Sequence, residues 1–320
     1  MWESVNCEGP SLCFHAGSVV RDCFYIHGGV TSRLSSEASF QLWKFDFSSL
    51  NWSSITSSGA PNCSHHVAVT QHDRYLILIG GWNGKSRTSD VHVFDCVDET
   101  WHHTRTIGFP EGAGLSSHTA TSLRDGNFIV TGREGGLRTQ RRAGSTFKLS
   151  GDASRRGCSF QYLDTSMGIA SRSGHTACPM TQGRLALLGG RSDHLLEYLV
   201  KVPVTIDVHP KIVEKLSCLC TGLRPCPKPP GGRRNHVSVS VGEMVVMHGG
   251  ETFDGKAKAA VFDVWVMDVR GGGLKWLKVG QGVGDVARAG HVVCVARDNI
   301  FIHGGFDESG RTRNEVMKLS

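Results

Sequence analysis

Tyr75-Leu76-Ile77-Leu78-Ile79-Gly80-Gly81, an apolar run that ends in two glycines, is the recurring signature of this chain. Four further glycine pairs and one imperfect copy follow similar runs, and they are Gly28-Gly29, Gly189-Gly190, Gly249-Gly250, Gly304-Gly305 and Gly132-Arg133. The first glycines of successive copies are 52, 52, 57, 60 and 55 residues apart. A unit of this length is too small to bury its own apolar face. The repeat therefore predicts sheets that stack one after another into a closed ring.

The composition favours one all-β domain that covers residues 1–320. The chain has 40 glycines and 4 tyrosines, and it lacks the long charged heptads of a helical solenoid. No apolar stretch of about 18 residues occurs, and the first residues show no basic leader with an apolar core. Eleven cysteines without regular spacing indicate reduced thiols. We therefore expect a monomer in the cytoplasm or nucleus that does not bind membranes.

A histidine precedes each glycine pair by 13 or 14 residues and marks the start of each repeat. These six residues, called the blade histidines below, are His15, His66, His118, His175, His236 and His291. In three repeats an arginine stands three residues before the histidine, at Arg172, Arg233 and Arg288. Because every repeat carries the histidine, we expect it to make a structural hydrogen bond rather than to bind metal or to catalyse a reaction.

A tryptophan marks the fourth strand of several repeats, seven residues after an aromatic residue in the first two. The tryptophans in this position are Trp52, Trp101 and Trp276, and we expect them to fill the space between neighbouring sheets. The last repeat reaches Ser320 without such a tryptophan, whereas an isolated strand with Trp2 opens the chain. The pattern predicts that this N-terminal strand pairs with the last repeat, which removes an open sheet edge.

Double glycine, spaced aromatic and tryptophan, and the Arg-x-x-His start resemble the kelch repeat, and the resemblance spans essentially the whole chain. The kelch family folds as a β-propeller of four-stranded blades. The resemblance implies an all-β, six-bladed kelch β-propeller whose last blade is closed by the N-terminal strand, residues 2–6. The expected blades occupy, in chain order, about residues 11–56, 63–107, 115–165, 172–202, 233–280 and 288–320. Residues 203–232 are expected to form an insertion that contains a short helix.

In kelch propellers, the loops between second and third strands and the connections between blades gather on one face around the central channel. The family uses that face to hold peptides. The positions that the resemblance places there, and that we expect to bind a partner, are Arg133, Arg172, Arg191, Arg233, Arg288, Trp82, Phe306 and Glu251. Guanidinium groups pair with carboxylates through two parallel hydrogen bonds. The expected partner is an acidic or carboxylate-terminated peptide, or a partner domain. Alternatively, the arginines of the Arg-x-x-His motifs only cap neighbouring loops and strands.

Residues 131–156 carry seven cationic side chains and two anionic ones, so seven minus two gives five of the six net positive charges of the chain. The basic loop within this segment holds Arg138, Arg141 and Arg142. Such a density of positive charge attracts an acidic peptide or a nucleic acid. Nucleic acid is the weaker interpretation, because Phe147 is the one aromatic residue available for base stacking in this stretch. A solvated loop without a partner is the other interpretation.

The sequence as a whole predicts a non-enzymatic protein-interaction module, an adaptor or scaffold that holds no cofactor. A substrate receptor of a ubiquitin ligase is one alternative, although no BTB domain or ligase-binding helix is visible in the sequence. A metal-dependent kelch enzyme is the alternative of another class, and it would need clustered ligands at the channel. The cysteines at 218, 220 and 226, with His209, match no common zinc finger or ribbon in their spacing. No catalytic or metal-binding residue is therefore predicted.

Overall fold

The structure is a computed structural model, and it describes residues 2–135, 140–165, 169–170, 172–180, 183–191, 204–207, 230–253, 258–269, 275–279 and 287–319. Within these ranges the regular elements are β-strands, and no α-helix occurs. None of the described residues forms a helix that could cross a membrane. The helix expected between residues 203 and 232 lies outside the described residues.

The chain opens with β1 (Trp2–Glu8), which joins the last sheet, and continues into two antiparallel four-stranded meanders. The first meander, blade one, consists of β2 to β5, with the bounds Ala16–Val20, Cys23–His27, Leu42–Asp46 and Asn51–Ile55. Blade two consists of β6 to β9, with the bounds Val67–Gln71, Tyr75–Trp82, Arg87–Asp95 and Thr100–His102. The second strand of each blade is almost entirely buried, as its continuous apolar run predicts.

Blade three contains extra pairings beyond the meander. Short β10 (Arg105–Ile107) and β11 (Gly114–Leu115) lie before the blade, and its main strands β12 to β15 span Thr119–Ser122, Phe128–Gly135, Gln140–Ser150 and Ser159–Asp164. Strand β10 pairs in parallel with the outer strand β15, while β11 bridges β8 and β13. Short β16 (Ile169–Ala170) pairs with β14. Because β10 covers it, the outer edge of blade three is not left unpaired.

Blade four is described for three strands, which are β17 to β19 at Ser173–Pro179, Arg184–Arg191 and Val204–Asp207. The third strand begins two residues beyond the boundary expected for this blade, inside the segment assigned to the insertion. The reason is visible in its sequence. Strand β19 ends in Ile206-Asp207, so it keeps the acid but lacks the aromatic residue that marks the third strand in blades one and two.

Blades five and six complete the molecule. A small sheet of β20 (Arg233–Arg234), β23 (Glu251–Phe253) and β24 (Lys258–Ala260) accompanies blade five. The four strands of blade five are β21, β22, β25 and β26, at Val237–Val241, Met244–His248, Val264–Asp268 and Lys275–Lys278. Blade six contains β27, β28 and β29, at Val292–Ala296, Asn299–His303 and Glu315–Leu319, and its fourth strand is β1.

The six sheets close into a ring through their innermost strands. Each innermost strand contacts the next in the order β2, β6, β12, β17, β21 and β27, and β27 contacts β2 again. Next to these strands, six backbone N–H groups each donate to a carbonyl oxygen of the preceding blade at 2.8 Å. The residues of this closed hydrogen-bonded ring, called the collar below, are Phe14, His65, Ser117, Gly174, Asn235 and Gly290. The fold is a six-bladed β-propeller with the collar around its central channel.

The N-terminal strand closes blade six, which confirms the expected closure. Strand β1 pairs antiparallel with β29, with Trp2 opposite Leu319, and it extends past the expected residue 6 to Glu8. Trp2 is buried and packs edge-on against His248 of blade five, with 4.9 Å between the ring centroids. Equivalent contacts join Trp101 to His27 and Trp52 to His303. Trp2 therefore has the same place in blade six as the fourth-strand tryptophans of blades one and two have in theirs.

The glycine pairs allow close contact between and within blades. In the five complete pairs φ lies between 60° and 109°, a region that side chains with a Cβ rarely adopt. A Cβ at the first glycine, Gly28, would lie 2.1 Å from the carbonyl oxygen of Cys63 in the next blade. A Cβ at Gly29 would lie 2.7 Å from the Cβ of His15 in its own blade. The first glycine of a pair thus allows close contact with the next blade, and the second allows close contact within its own blade.

The imperfect copy has a different backbone. Gly132 does not have a positive φ, and β13 continues through Arg133. Gly132 pairs with Ser145 and Arg133 with Gly144, so β13 stays extended here without the left-handed backbone of the complete glycine pairs. The second glycine is dispensable here because the strand stays extended.

Replacing Gly28 by alanine is expected to destabilise the protein by at least about 3 kcal/mol, against about 1 kcal/mol for Gly112→Ala. Both glycines have nearly the same left-handed φ, 68° and 67°, so both variants carry the same backbone penalty. Nothing lies within 4 Å of a Cβ at Gly112, whereas Gly28 faces a backbone oxygen of the next blade. Urea denaturation of the two variants measures the difference, and equal losses would contradict the close contact between blades.

Candidate functional site

The candidate site is a cavity at the mouth of the central channel. Its volume is about 110 Å³, and it is lined by the six collar residues and the six blade histidines. The collar residues have φ between 52° and 67°, which turns the chain sharply just before each inner strand. The cavity is therefore built from six equivalent turns that are far apart in the sequence.

The blade histidines hold neighbouring blades together. Each is buried, and in five of them Nε2 lies within hydrogen-bonding distance of the preceding blade. These pairs are His66 with His27 at 3.1 Å, His291 with His248 at 3.0 Å, His15 with His303 at 3.2 Å, His175 with Thr119 at 3.2 Å and His236 with Thr176 at 2.9 Å. His118 packs on Gly80 of the preceding blade, where an added Cβ would lie 2.9 Å from its Cε1. These contacts give the histidines a structural role.

The imidazoles are neutral at physiological pH. Burial lowers the pKa of His15 and His236 to about 3 and the pKa of His118 to about 4. The hydroxyl of Thr119 donates to the carbonyl oxygen of Thr131 at 3.3 Å, so it accepts a hydrogen bond from Nε2 of His175. Among the described residues, no group of three or more His, Cys, Asp and Glu side chains is arranged to hold a metal ion.

The arginines of the Arg-x-x-His motifs lie inside the blades, which corrects their expected place at the channel mouth. Arg172, Arg233 and Arg288 are 1%, 3% and 1% exposed. Each donates to the carbonyl oxygen of the first glycine of its own repeat, namely Gly189 at 3.4 Å, Gly249 at 2.9 Å and Gly304 at 3.1 Å. Arg233 also pairs with Asp263 at 3.0 Å, and Arg288 with Glu315 at 3.3 Å. These contacts match the alternative interpretation, in which the arginines cap neighbouring backbone.

Strand alternation explains the correction. Arg233 and Arg234 are consecutive residues of β20, so their side chains point to opposite faces. Arg233 is buried, whereas Arg234 is partly exposed and forms a salt bridge with Glu251 at 2.9 Å. The residue two positions before the blade histidine is thus the partly exposed one here, and the residue three positions before it is the buried one. The sequence contains this signal, because Arg234 directly precedes the collar residue Asn235.

Glu251 and Phe306, two of the expected partner-binding residues, are also buried, at 2% and 1% exposure. Glu251 accepts hydrogen bonds from two arginines, Arg234 through one carboxylate oxygen and Arg33 through the other. The guanidinium of Arg33 lies over the ring of Phe306, 4.8 Å from its centroid. Arg33 comes from the β3–β4 loop of blade one, so this cluster ties blade one to blades five and six.

Trp82 and Arg191 are the expected partner-binding residues that the structure leaves partly exposed. The indole N–H of Trp82 donates to the carbonyl oxygen of Ser36 at 3.3 Å. Arg191 ends β18 and pairs with Ser173, close to the collar residue of blade four. Both positions directly follow a glycine pair, and both lie where the second strand reaches the mouth.

Two further arginines complete the mouth, and sequence reasoning had not selected them. Arg33 is described above, and the Nε of Arg87 donates to the hydroxyl of Ser116 at 2.9 Å, next to the collar residue of blade three. Burial lowers the pKa of Arg87. The set called the rim arginines below consists of Arg33, Arg87, Arg191 and Arg234. Arg33 belongs to a loop and Arg87 begins β8, and neither occupies a recurring position of the repeat, so no sequence pattern marks them.

The basic segment of blade three is described only in part. Arg138 lies outside the described residues, as do the side chains of Arg133, Arg141 and Arg142. Further along the segment, Lys148 pairs with Asp125 at 3.0 Å and Arg155 with Asp152 at 3.4 Å. Two of the cationic groups counted in the sequence are therefore paired with acids at the surface.

Comparison with known proteins places these features in context. Residues 1–132 match the family model described as the KLHDC2/KLHL20/DRC7 Kelch-repeats domain. Kelch domain-containing protein 9 of Homo sapiens is 34% identical over 313 residues, which cover 93% of this chain and 88% of the relative. The Mus musculus protein of the same name is 32% identical over 311 residues, with the same coverage. A solved structure described as "Structure of YjhT" superposes with a TM-score of 0.71 over 98% of this chain and 96% of that chain, at 15% identity. At 15% identity, the similarity to this solved structure concerns the fold alone.

Proposed function

The chain belongs to the kelch-repeat family, and we propose that it is a non-enzymatic protein-binding module whose channel mouth holds an acidic segment of a partner protein. Kelch propellers are typically protein-binding modules. The observation that carries the proposal is the set of rim arginines, which lie next to collar residues or, for Arg33, next to Arg234. Two of them, Arg33 and Arg234, share the single carboxylate of Glu251, so this group keeps a net positive charge.

The chemistry of the rim favours carboxylates. Arginine presents several N–H donors in one plane and can bind a carboxylate through two of them, which gives both attraction and orientation. Positive charge around a concave mouth also accelerates the approach of an acidic partner at low salt. The partner segment therefore carries several Asp or Glu side chains, or a free carboxyl terminus beside them.

The non-enzymatic part of the proposal rests on the histidines. The blade histidines are buried and engaged in contacts between blades, so they are poor candidates for general bases, which must reach a substrate. The eight cysteines described are all free thiols, which agrees with a location in the cytoplasm or nucleus.

Changing Arg87 and Arg191 together to glutamine is expected to weaken binding of the natural partner at least about tenfold. Glutamine keeps much of the length and polarity of arginine but removes its charge. Partners are captured by proximity labelling with the wild-type chain, and the dissociation constant of the main one is then measured for each variant. A double variant at Arg21 and Arg105, which are exposed in the β2–β3 turn and on β10, is the control. Unchanged binding by the rim variant, with an unchanged melting temperature, would contradict the proposal.

A further inference from the structure

The cavity inside the rim is uncharged although the rim itself is cationic. Every collar N–H donates to a collar carbonyl, so the backbone ring uses its hydrogen-bonding groups on itself. Five of the six blade histidines direct Nε2 to the preceding blade. The Nδ1 atoms of the blade histidines have no hydrogen-bond partner among the described residues but are buried. Recognition inside the cavity therefore depends chiefly on the side chains of the collar.

Three collar residues bring polar side-chain atoms to the cavity: His65, Ser117 and Asn235. Within the part of the chain that the structure describes, the hydroxyl of Ser117 and the amide of Asn235 make no side-chain hydrogen bond. His65 uses Nδ1 for the hydroxyl of Ser64 at 3.1 Å, which leaves Nε2 for a ligand. Burial, reinforced by the charge of Arg87, lowers the pKa of His65 to about 4, so the ring is neutral. All three groups are uncharged hydrogen-bonding groups.

The size of the cavity suits one short side chain. The rings of Phe14 and His65 are stacked at 4.1 Å with 18° between their planes. Together they form an aromatic wall on blades one and two. On blade four the collar residue is Gly174, and a Cβ there would lie 2.6 Å from Oδ1 of Asn235, so the amide lies over the glycine. The volume of about 110 Å³ corresponds to roughly three or four water molecules.

These properties distinguish a carboxamide from a carboxylate. A carboxylate accepts hydrogen bonds only, and its burial without a cation in contact is costly. Asn235 presents an acceptor oxygen next to its donor NH₂, so it repels one carboxylate oxygen while it binds the other. A primary amide offers one donor and one acceptor edge, which complement the two edges of Asn235.

We propose that the partner inserts a single Asn or Gln side chain into the cavity, while acidic residues on either side of it bind the rim arginines. This inference rests on the proposed function, since it requires that the mouth bind the partner. The two levels of recognition are separate in space: neutral amide pairing in the cavity, and charge pairing at the rim.

The test is selection from a phage-displayed library of random linear peptides on three proteins: wild type, Asn235→Gly and Asn51→Gly. Glycine preserves the collar at position 235, because Gly174 and Gly290 already occupy equivalent positions with the same left-handed φ. Asn51 is exposed at the start of β5 and serves as the control. From the wild type and the control we expect acidic peptides with Asn or Gln at one fixed position. The N235G protein is expected to keep the acidic preference and lose the amide preference.

Synthetic copies of one selected peptide complete the test. We expect binding at least tenfold weaker to N235G than to wild type, and a similar loss when the fixed Asn or Gln of the peptide is changed to Asp or Glu. Acidic peptides without a fixed amide, or equal affinity for N235G, would overturn this inference and leave the proposed function standing. Selected peptides without an acidic preference would overturn the proposed function as well.

Discussion

Lowering the pH from 7.5 to 5 is expected to unfold this protein cooperatively at room temperature. The reason is a set of buried histidines that cannot accept a proton in the folded state. Burial lowers the pKa of His118 to about 4 and that of four others to about 3, and these four are His15, His27, His236 and His248. Burial also lowers the pKa of His66, His175, His291 and His303 well below the usual value.

The direction of the change in stability with pH follows from proton binding in the folded and unfolded chains. In the unfolded chain a histidine takes up a proton near pH 6.5, whereas the folded chain keeps these rings neutral down to about pH 4 or 3. Stability is therefore full above pH 6.5 and falls as the pH drops below it. At pH 5 each such histidine costs about 2 kcal/mol, and five of them cost about 10 kcal/mol. This loss is comparable to the whole stability of an ordinary domain, about 5–15 kcal/mol.

The carboxylates do not produce this effect. The Asn127 and Ser154 hydrogen bonds hold the pKa of Asp125 and of Asp152 near 2, so these acids are protonated only at much lower pH. Denaturation by urea between pH 7.5 and 5 measures the slope of stability against pH. His236→Gln is expected to reduce that slope by about 1.4 kcal/mol per pH unit, and His103→Gln, at an exposed position, is expected to leave it unchanged. Equal stability at pH 7.5 and 5.5 would contradict the assignment of neutral histidines.

Removing residues 1–6 is expected to lower the melting temperature by at least about 5 °C and to promote aggregation. The deletion takes away Trp2, which packs in one cluster with Val237 and Val264 of blade five and with Ile302 and Met317 of blade six. It also leaves β29 with an unpaired edge, a template for pairing with other chains. Truncating Trp2 alone to alanine is expected to cost about 3–5 kcal/mol, as for other buried aromatic residues.

Two controls isolate the closure. Glu3→Ala changes an exposed residue of the same strand and is expected to alter stability by less than about 0.5 kcal/mol. A synthetic peptide of residues 1–9, added to the truncated protein, is expected to restore part of the melting temperature, and the same peptide with Trp2→Ala is not. A truncated protein that melts like the wild type would show that blade six is stable without β1.

The architecture was predictable because each repeat places its characteristic residues at fixed, short distances along the sequence. Each blade has a histidine at a fixed distance from a complete or imperfect glycine pair, and often a tryptophan, so counting these residues yields six blades. The missing tryptophan of the last repeat and the isolated Trp2 predicted the closure. The prediction was weakest where the signature was incomplete, as in β19, which lacks the aromatic residue that precedes the acid in the third strands of blades one and two.

The site was predictable only in outline. Sequence reasoning placed five arginines at the mouth, and the structure buries three of them, Arg172, Arg233 and Arg288, and leaves Arg191 partly exposed. Residues that recur at the same spacing in every repeat make the same contacts in every blade. Such contacts mostly stabilise the fold. Arg33 lies in a loop and Arg87 at the start of β8, and neither occupies a recurring position of the repeat, so only their positions in space reveal them.

The short-range sequence pattern thus establishes how many blades this chain forms and how its ends meet. Every blade packs against another blade of the same structure and must therefore repeat the same residues. The composition of the mouth follows from the folded arrangement alone. Six collar turns from distant parts of the chain converge there, and alternation along each strand determines whether an arginine faces the solvent or the interior. No residue spacing in the sequence predicts that a neutral cavity lies inside a cationic rim.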